Sequence, residues 1–175
     1  MILLHNKLRD ALYETASQAA LGPRKEAHAL IPGRNDKPAD VYLPSWAEGK
    51  DMALDVTVVS PLQATLVSRA AVEAGHALDH AYDRKFRQAG EDCRAEGIIF
   101  QPLPVETLGG WHEKCLPVIS KLGKQLARHT GADESEVVSH LYQRLSILLM
   151  KGNAALLLSR TPDFPPDFID GVVGS

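Results

Sequence analysis

The stretch from residue 39 to residue 102 constrains the fold more than any other part of the chain. Two runs with strand character, residues 39–43 and 52–60, are separated by Pro44-Ser45-Trp46-Ala47-Glu48-Gly49, a segment with turn chemistry and the length of a hairpin connection. Side chains alternate across a strand, so Leu54, Val56 and Val58 share one face of the second run while Ala53, Asp55, Thr57 and Val59 share the other. Pro61 ends that run. Residues 62–96 then contain no proline and are rich in alanine, which suits one long helix, weakened locally at Gly75 and Gly90. Residues 98–102 form the next apolar run and read as a strand returning to the sheet. Residues 52–102 therefore predict a βαβ crossover in an α/β fold.

The flanks add helices. Leu4, Leu8, Ala11, Leu12, Thr15, Ala16 and Ala19 recur at helical spacing, and Gly22-Pro23 stops them. Residues 26–31 alternate briefly and predict a short strand, followed by Pro32-Gly33 and a polar turn at Arg34-Asn35-Asp36-Lys37. Beyond Gly109-Gly110 two further helices are predicted, over residues 111–130 and 134–159. Asp133 suits the N-cap of the second, with Glu134 and Glu136 in its first turn. Its Val137, Leu141, Leu145, Leu148 and Leu149 make an apolar stripe. The proline-interrupted residues 161–175 read as a loose tail.

A length of 175 residues with 45% hydrophobic and 23% charged side chains is that of one globular domain with its own core. The most apolar stretch, residues 145–158, is interrupted by Lys151-Gly152-Asn153, so no membrane span is expected. The first residues, Met-Ile-Leu-Leu-His-Asn-Lys, are too short an apolar run for a secretory leader. An intracellular location is expected, the nucleus included. Cys93 and Cys115 have neither zinc-pair nor CxxC spacing and read as reduced, partly buried thiols. The net charge of −3 weighs against nucleic-acid binding, although a locally basic surface is compatible with an acidic total. Arg24-Lys25, Arg34 with Lys37, and Arg84 with Arg87 are the candidate basic clusters.

Chemistry points to Asp40, at the start of one strand after Pro38-Ala39, and to Asp55 in the middle of the next. Two carboxylates brought together repel unless a cation or a shared proton neutralises them. Magnesium, a hard ion that takes oxygen ligands and keeps several waters, suits such a pair. The alternative is that Asp40 caps a turn while Asp55 faces solvent on an edge strand. Val67, Ala71, Ala74, Leu78 and Ala81 repeat in steps of four and three along the predicted long helix, and the next position in the series is Lys85. That lysine either snorkels outward or reaches the carboxylates, where it would orient water or stabilise charge developing on phosphorus.

These residues resemble a known family. Pro38-Ala39-Asp40, Ala53-Leu54-Asp55-Val56-Thr57-Val58 and Lys85 are similar to the restriction-like endonuclease domain of site-specific non-LTR retrotransposons, a variant of the PD-(D/E)xK nuclease fold. His5-Asn6-Lys7-Leu8-Arg9-Asp10 and the blocks Gly97-Ile98-Ile99-Phe100-Gln101-Pro102 and Glu106-Thr107-Leu108-Gly109-Gly110-Trp111 extend the likeness to about residues 4–112. The resemblance implies a restriction-endonuclease-like core over residues 1–106, a helical extension over 107–160 packed on it, and metal-dependent nicking of DNA. Asp40 and Asp55 would hold magnesium or manganese, Lys85 would be the lysine moved from strand to helix, and Glu26 would be an auxiliary acid. Thr57 occupies the place of the usual strand lysine. The chain departs from the family where Leu4 precedes His5 in place of arginine, where Ala89 stands for a tyrosine one turn after Lys85, and in having no Cys/His zinc knuckle ahead of His5. The implied partners are DNA and either a second copy or the other domains of a parent polyprotein, and no membrane. A catalytically silent remnant that binds DNA, or a helical interaction module using the leucine stripe, is the alternative. His76 and His80, one turn apart, have no evident third metal ligand, and His5 either positions phosphate or packs on the first helix.

Overall fold

The structure, a computed structural model, describes residues 2–27, 30–31 and 39–160. Helix α1 (Ile2–Gln18) opens the chain and buries Leu4, Leu8, Ala11, Leu12 and Ala16, the stripe its spacing predicts. Three strands follow, β1 (Arg24–Lys25), β2 (Val41–Ala47) and β3 (Lys50–Val59). A one-turn helix α2 (Val67–Ala70), the long helix α3 (His76–Ala95) and strand β4 (Ile99–Glu106) complete the crossover. The sheet order is β1-β2-β3-β4, antiparallel up to β3 and parallel between β3 and β4. Helices α4 (Leu116–Thr130) and α5 (Glu134–Leu158) end the described chain. This is a mixed α/β fold with the central strand β3 buried on both faces.

The alternation along β3 separates two cores. Met52, Leu54 and Val56 meet α1, α4 and α5 in one cluster, together with Val41, Leu43, Leu103 and Val105 of the neighbouring strands. Ala53 meets Ala89 and Cys93 of α3 on the other face, with Phe100 of β4. Leu141, Leu145 and Leu149 of the predicted leucine stripe are buried in the first cluster, so the helices after residue 107 share one core with the sheet, and the stripe is spent inside the domain. The N-cap of α5 is Asp133, whose side chain accepts from the Glu136 N–H at 2.9 Å.

Several boundaries differ from the sequence expectation for identifiable reasons. The segment 44–49 is not all turn. Strand β2 runs through Pro44 to Ala47 over a register shift, with Ser45 at a φ of 49° and its N–H bonded to the Asp51 carboxylate at 2.8 Å. Asp51 also accepts from the Tyr42 hydroxyl. The reversal itself takes only Glu48 and Gly49, at φ 52° and 74°, the paired positive values of a two-residue hairpin turn. The single long helix predicted for residues 62–96 is broken, because Gly75 adopts a left-handed φ of 84°. Val67, Ala71 and Ala74 are consequently exposed, and only Leu78, Ala81 and Lys85 of the predicted stripe face the sheet. A two-residue strand forms at Arg24–Lys25, ahead of the strand predicted at 26–31, and Glu26, with a φ of 47°, leaves the extended path; residues 28–29 of that prediction lie outside the described residues. The predicted turn at 32–37 and the tail 161–175 lie outside the described residues.

Edge strand β4 carries Pro102 and Pro104, where a missing N–H costs no ladder bond. The carbonyls of these prolines accept from the Cys115 thiol at 3.7 and 3.8 Å, and that of Pro104 also from the His112 N–H at 3.2 Å. Neither Cys93 nor Cys115 forms a disulfide, both are fully buried, and burial pushes the Cys115 thiol up to about 12. Tyr82 stacks on His112 at 4.4 Å, fastening the segment after β4 to α3. No helix among the described residues is long and apolar enough to cross a membrane.

Because Leu145 is 0% exposed in the shared core, Leu145→Ala is expected to cost about 2–5 kcal/mol in one cooperative urea transition. A separate early transition confined to the last two helices would contradict the shared core.

Candidate carboxylate site

Strand register assembles the site. Val41 pairs with Leu54, so Asp40, one residue earlier, stands opposite Asp55. The Asp40 N–H donates to the Leu54 carbonyl at 2.8 Å. Its carboxylate folds back on the same strand and accepts from the Val56 N–H at 2.7 Å through Oδ2. Asp40 neither caps a turn alone nor leaves Asp55 to face solvent. Asp55 is buried on the α3 face of the central strand.

Helix α3 brings the counter-charge. Ala81 and Ala89, one turn before and one turn after Lys85, are both buried against the sheet, so position 85 lies in the packing stripe. The Lys85 ammonium lies 3.2 Å from Oδ1 and 2.9 Å from Oδ2 of Asp55. The snorkelling alternative is thereby excluded. Helix α1 supplies a fourth group: His5 Nε2 lies 3.0 Å from Asp40 Oδ2, and His5 Nδ1 lies 3.2 Å from Asn6 Oδ1. The hydrogen bond to Asp40 is the largest influence on His5 and raises its pKa above the ordinary 6.5, against the opposing effect of burial. Of the two readings open for His5 in the sequence, it does more than pack on α1.

The environment of Asp55 is electrostatically costly. Burial pushes its carboxyl up from the ordinary 3.8 to about 6, with Lys85 opposing the rise and the Asp40 carboxylate adding to it. Burying the Asp55 carboxylate costs more than the adjacent Lys85 returns. Lys85 and His5 each face one of the two carboxylates.

Glu26 is placed differently from the two aspartates. Its carboxylate pairs with Arg9, which also holds Asp10 at 2.9 Å, and it touches Asp40 through its backbone, donating its N–H to the Asp40 carbonyl at 2.8 Å. Among the described residues no group of three or more His, Cys, Asp and Glu side chains is arranged to hold a metal ion. His76 pairs with Glu73 at 3.3 Å, away from any such group. Of the basic clusters, Lys25 is held by Asp10 at 3.0 Å and Arg24 lies over the Tyr42 ring, Arg84 and Arg87 are exposed on α3, and Arg34 with Lys37 lies outside the described residues.

A solvent-open cleft of about 270 Å³ adjoins the carboxylates, lined by Ile2, His5, Val56, Thr57, Val58, Arg84 and Lys85. Thr57 is buried, and its Oγ1 has no hydrogen-bond partner. The sequence marks Thr57 only as a residue standing where lysine is usual. No family model, curated protein or solved structure matches the chain.

The raised Asp55 pKa fixes the sign of a pH dependence. Between about 3.8 and about 6 the folded protein holds a proton that the unfolded chain has released. Stability from this group is full below the unfolded value and lost as pH rises through the folded one, on the order of 3 kcal/mol across the window. Urea denaturation of Asp55→Asn against the parent is expected to show the variant gaining relative stability as pH rises from about 4 to about 7. A difference constant with pH would contradict the assignment.

Proposed function

We propose that the protein is a metal-dependent endonuclease that hydrolyses a DNA phosphodiester and leaves a nicked strand. The observation that carries this reading is the cross-strand pair Asp40 and Asp55 with Lys85 on both oxygens of Asp55. The order of elements, with a helix, three antiparallel strands, a helix and a parallel fourth strand, supports a restriction-endonuclease-like core as the frame for it.

The donor set fits a hard divalent cation. Magnesium needs only one or two carboxylates when it keeps its waters, and a buried Asp55 carboxylate opposite that of Asp40 is the kind of group that a cation relieves. Asp40 and Asp55 would hold magnesium or manganese, which would supply water activation and stabilise the leaving oxygen. Val56 N–H and His5 fix the Asp40 carboxylate through Oδ2, leaving its Oδ1 the freer ligand. Lys85 stabilises negative charge developing on the phosphoryl oxygens. Glu26, held by Arg9, supports Asp40 through its backbone and its part as an auxiliary acid is indirect. DNA is the partner in this reading, in an intracellular and nuclear setting, with a second copy or the remaining domains of a parent protein supplying further affinity.

A second reading, a catalytically silent DNA-binding descendant, is favoured by one observation: Lys85 already bonds both oxygens of Asp55. Nicking of supercoiled plasmid separates the two. With magnesium the parent is expected to nick, and Asp55→Ala to slow nicking by about a hundredfold or more. Equal rates would overturn the nuclease assignment, and a magnesium-dependent rise in melting temperature without nicking would establish the silent form.

A further inference from the structure

We propose that Lys85 is a built-in counter-ion occupying the cation's place on Asp55, so that a divalent cation enters only as the ammonium swings away. The inference concerns the regulation of the carboxylate site, and it rests on the nuclease reading for the identity of the cation.

The carboxylate oxygens already have partners from the chain itself. The Lys85 ammonium lies 3.2 Å from Oδ1 and 2.9 Å from Oδ2 of Asp55. Asp40 Oδ2 accepts from the Val56 N–H at 2.7 Å and lies 3.0 Å from His5 Nε2. Magnesium binds oxygen at about 2.0–2.1 Å, so a cation on either Asp55 oxygen would stand beside an ammonium bonded to the same carboxylate. Two positive charges that close in a partly buried site repel strongly. Of the groups involved, the lysine is the one that can give way. Asp55 is 8% exposed in the middle of the central strand, with β2 and β4 paired on either side. Lys85 has a long flexible stem, its side chain is 27% exposed, and it lines the solvent-open cleft into which the ammonium can turn. Arg84 lines the same cleft, so the ammonium is repelled there and rests on Asp55 until a cation displaces it.

The resting contact has a structural use. A buried carboxylate stripped of its partner destabilises a fold strongly, and Lys85 lets β3 hold an ionised Asp55 before any cation arrives. Lysine and cation then compete for one group, and such coupling is reciprocal, each weakening the hold of the other by the same factor. Seating the cation also frees the ammonium for the charge-stabilising part given to it above.

The experiment reads the lysine directly, with manganese alone as the probe. Acetylation of the full chain by an N-hydroxysuccinimide ester is followed at Lys85 by mass spectrometry, with the exposed Lys50 as internal reference. Saturating manganese is expected to raise the Lys85 rate about tenfold relative to that of Lys50, and Asp55→Asn to label fast with or without the ion. Manganese affinity, read from the electron paramagnetic resonance of the free ion at about pH 8, is expected to tighten about tenfold in Lys85→Met. If that variant does not fold, labelling of the parent decides alone. A Lys85 rate unmoved at manganese concentrations that bind the parent, or equal affinity in parent and Lys85→Met, would overturn the proposal. Either result in a protein that nicks plasmid DNA leaves the nuclease reading standing. Release of Lys85 by manganese in a protein that never nicks leaves the counter-ion role standing and sinks the nuclease reading. Manganese bound by neither parent nor variant overturns both.

Discussion

An ionised Asp55 on the face of β3 that packs against α3 is the constraint on which the site depends. Most of that face is small or apolar, with Ala53 beside it on the strand and Ala81 and Ala89 across from it, so the carboxylate has lost much of its hydration. Lys85 returns part of that loss and Asp40 increases it. The fold tolerates the arrangement because both neighbours are held by backbone as well as by side chains. Asp40 is pinned by hydrogen bonds to Leu54, Val56 and Glu26, and Lys85 by the helical turns on either side. Strain of this electrostatic kind gathers at sites built to receive a charged ligand.

The rest of the domain keeps this geometry rigid. The second face of β3 packs on α1, α4 and α5 in one continuous core, so the strand carrying Asp55 is clamped from both sides. Helix α1 serves twice. Its apolar stripe seals the core, and its first turn delivers His5 to Asp40. The parallel partner β4 is a proline-bearing edge whose outer carbonyls are covered by Cys115 and His112, which protects the crossover from pairing with other strands.

Much of this was legible in the sequence because it depends on period. Alternation in residues 52–60 places Asp55 on the opposite face from Leu54 and Val56, and the four-three spacing through Leu78 and Ala81 leads to Lys85. The same spacing misleads before Gly75, where a left-handed backbone ends the helix and turns Val67, Ala71 and Ala74 outward. The hairpin was legible in outline only, since the bulge at Ser45 depends on a side-chain contact from Asp51. His5 could not be assigned from spacing, because its partner is 35 residues away. Thr57 is marked only as standing where lysine is usual, and its unpartnered hydroxyl becomes visible only when every surrounding atom has a position.

The most direct test is a crystal of the protein grown with manganese and recorded at the manganese absorption edge. An anomalous peak bridging the carboxylates of Asp40 and Asp55, with the Lys85 ammonium displaced from at least one Asp55 oxygen, is the predicted result. A carboxylate pair with no peak beside it, and Lys85 still on both oxygens of Asp55 at saturating manganese, would contradict it.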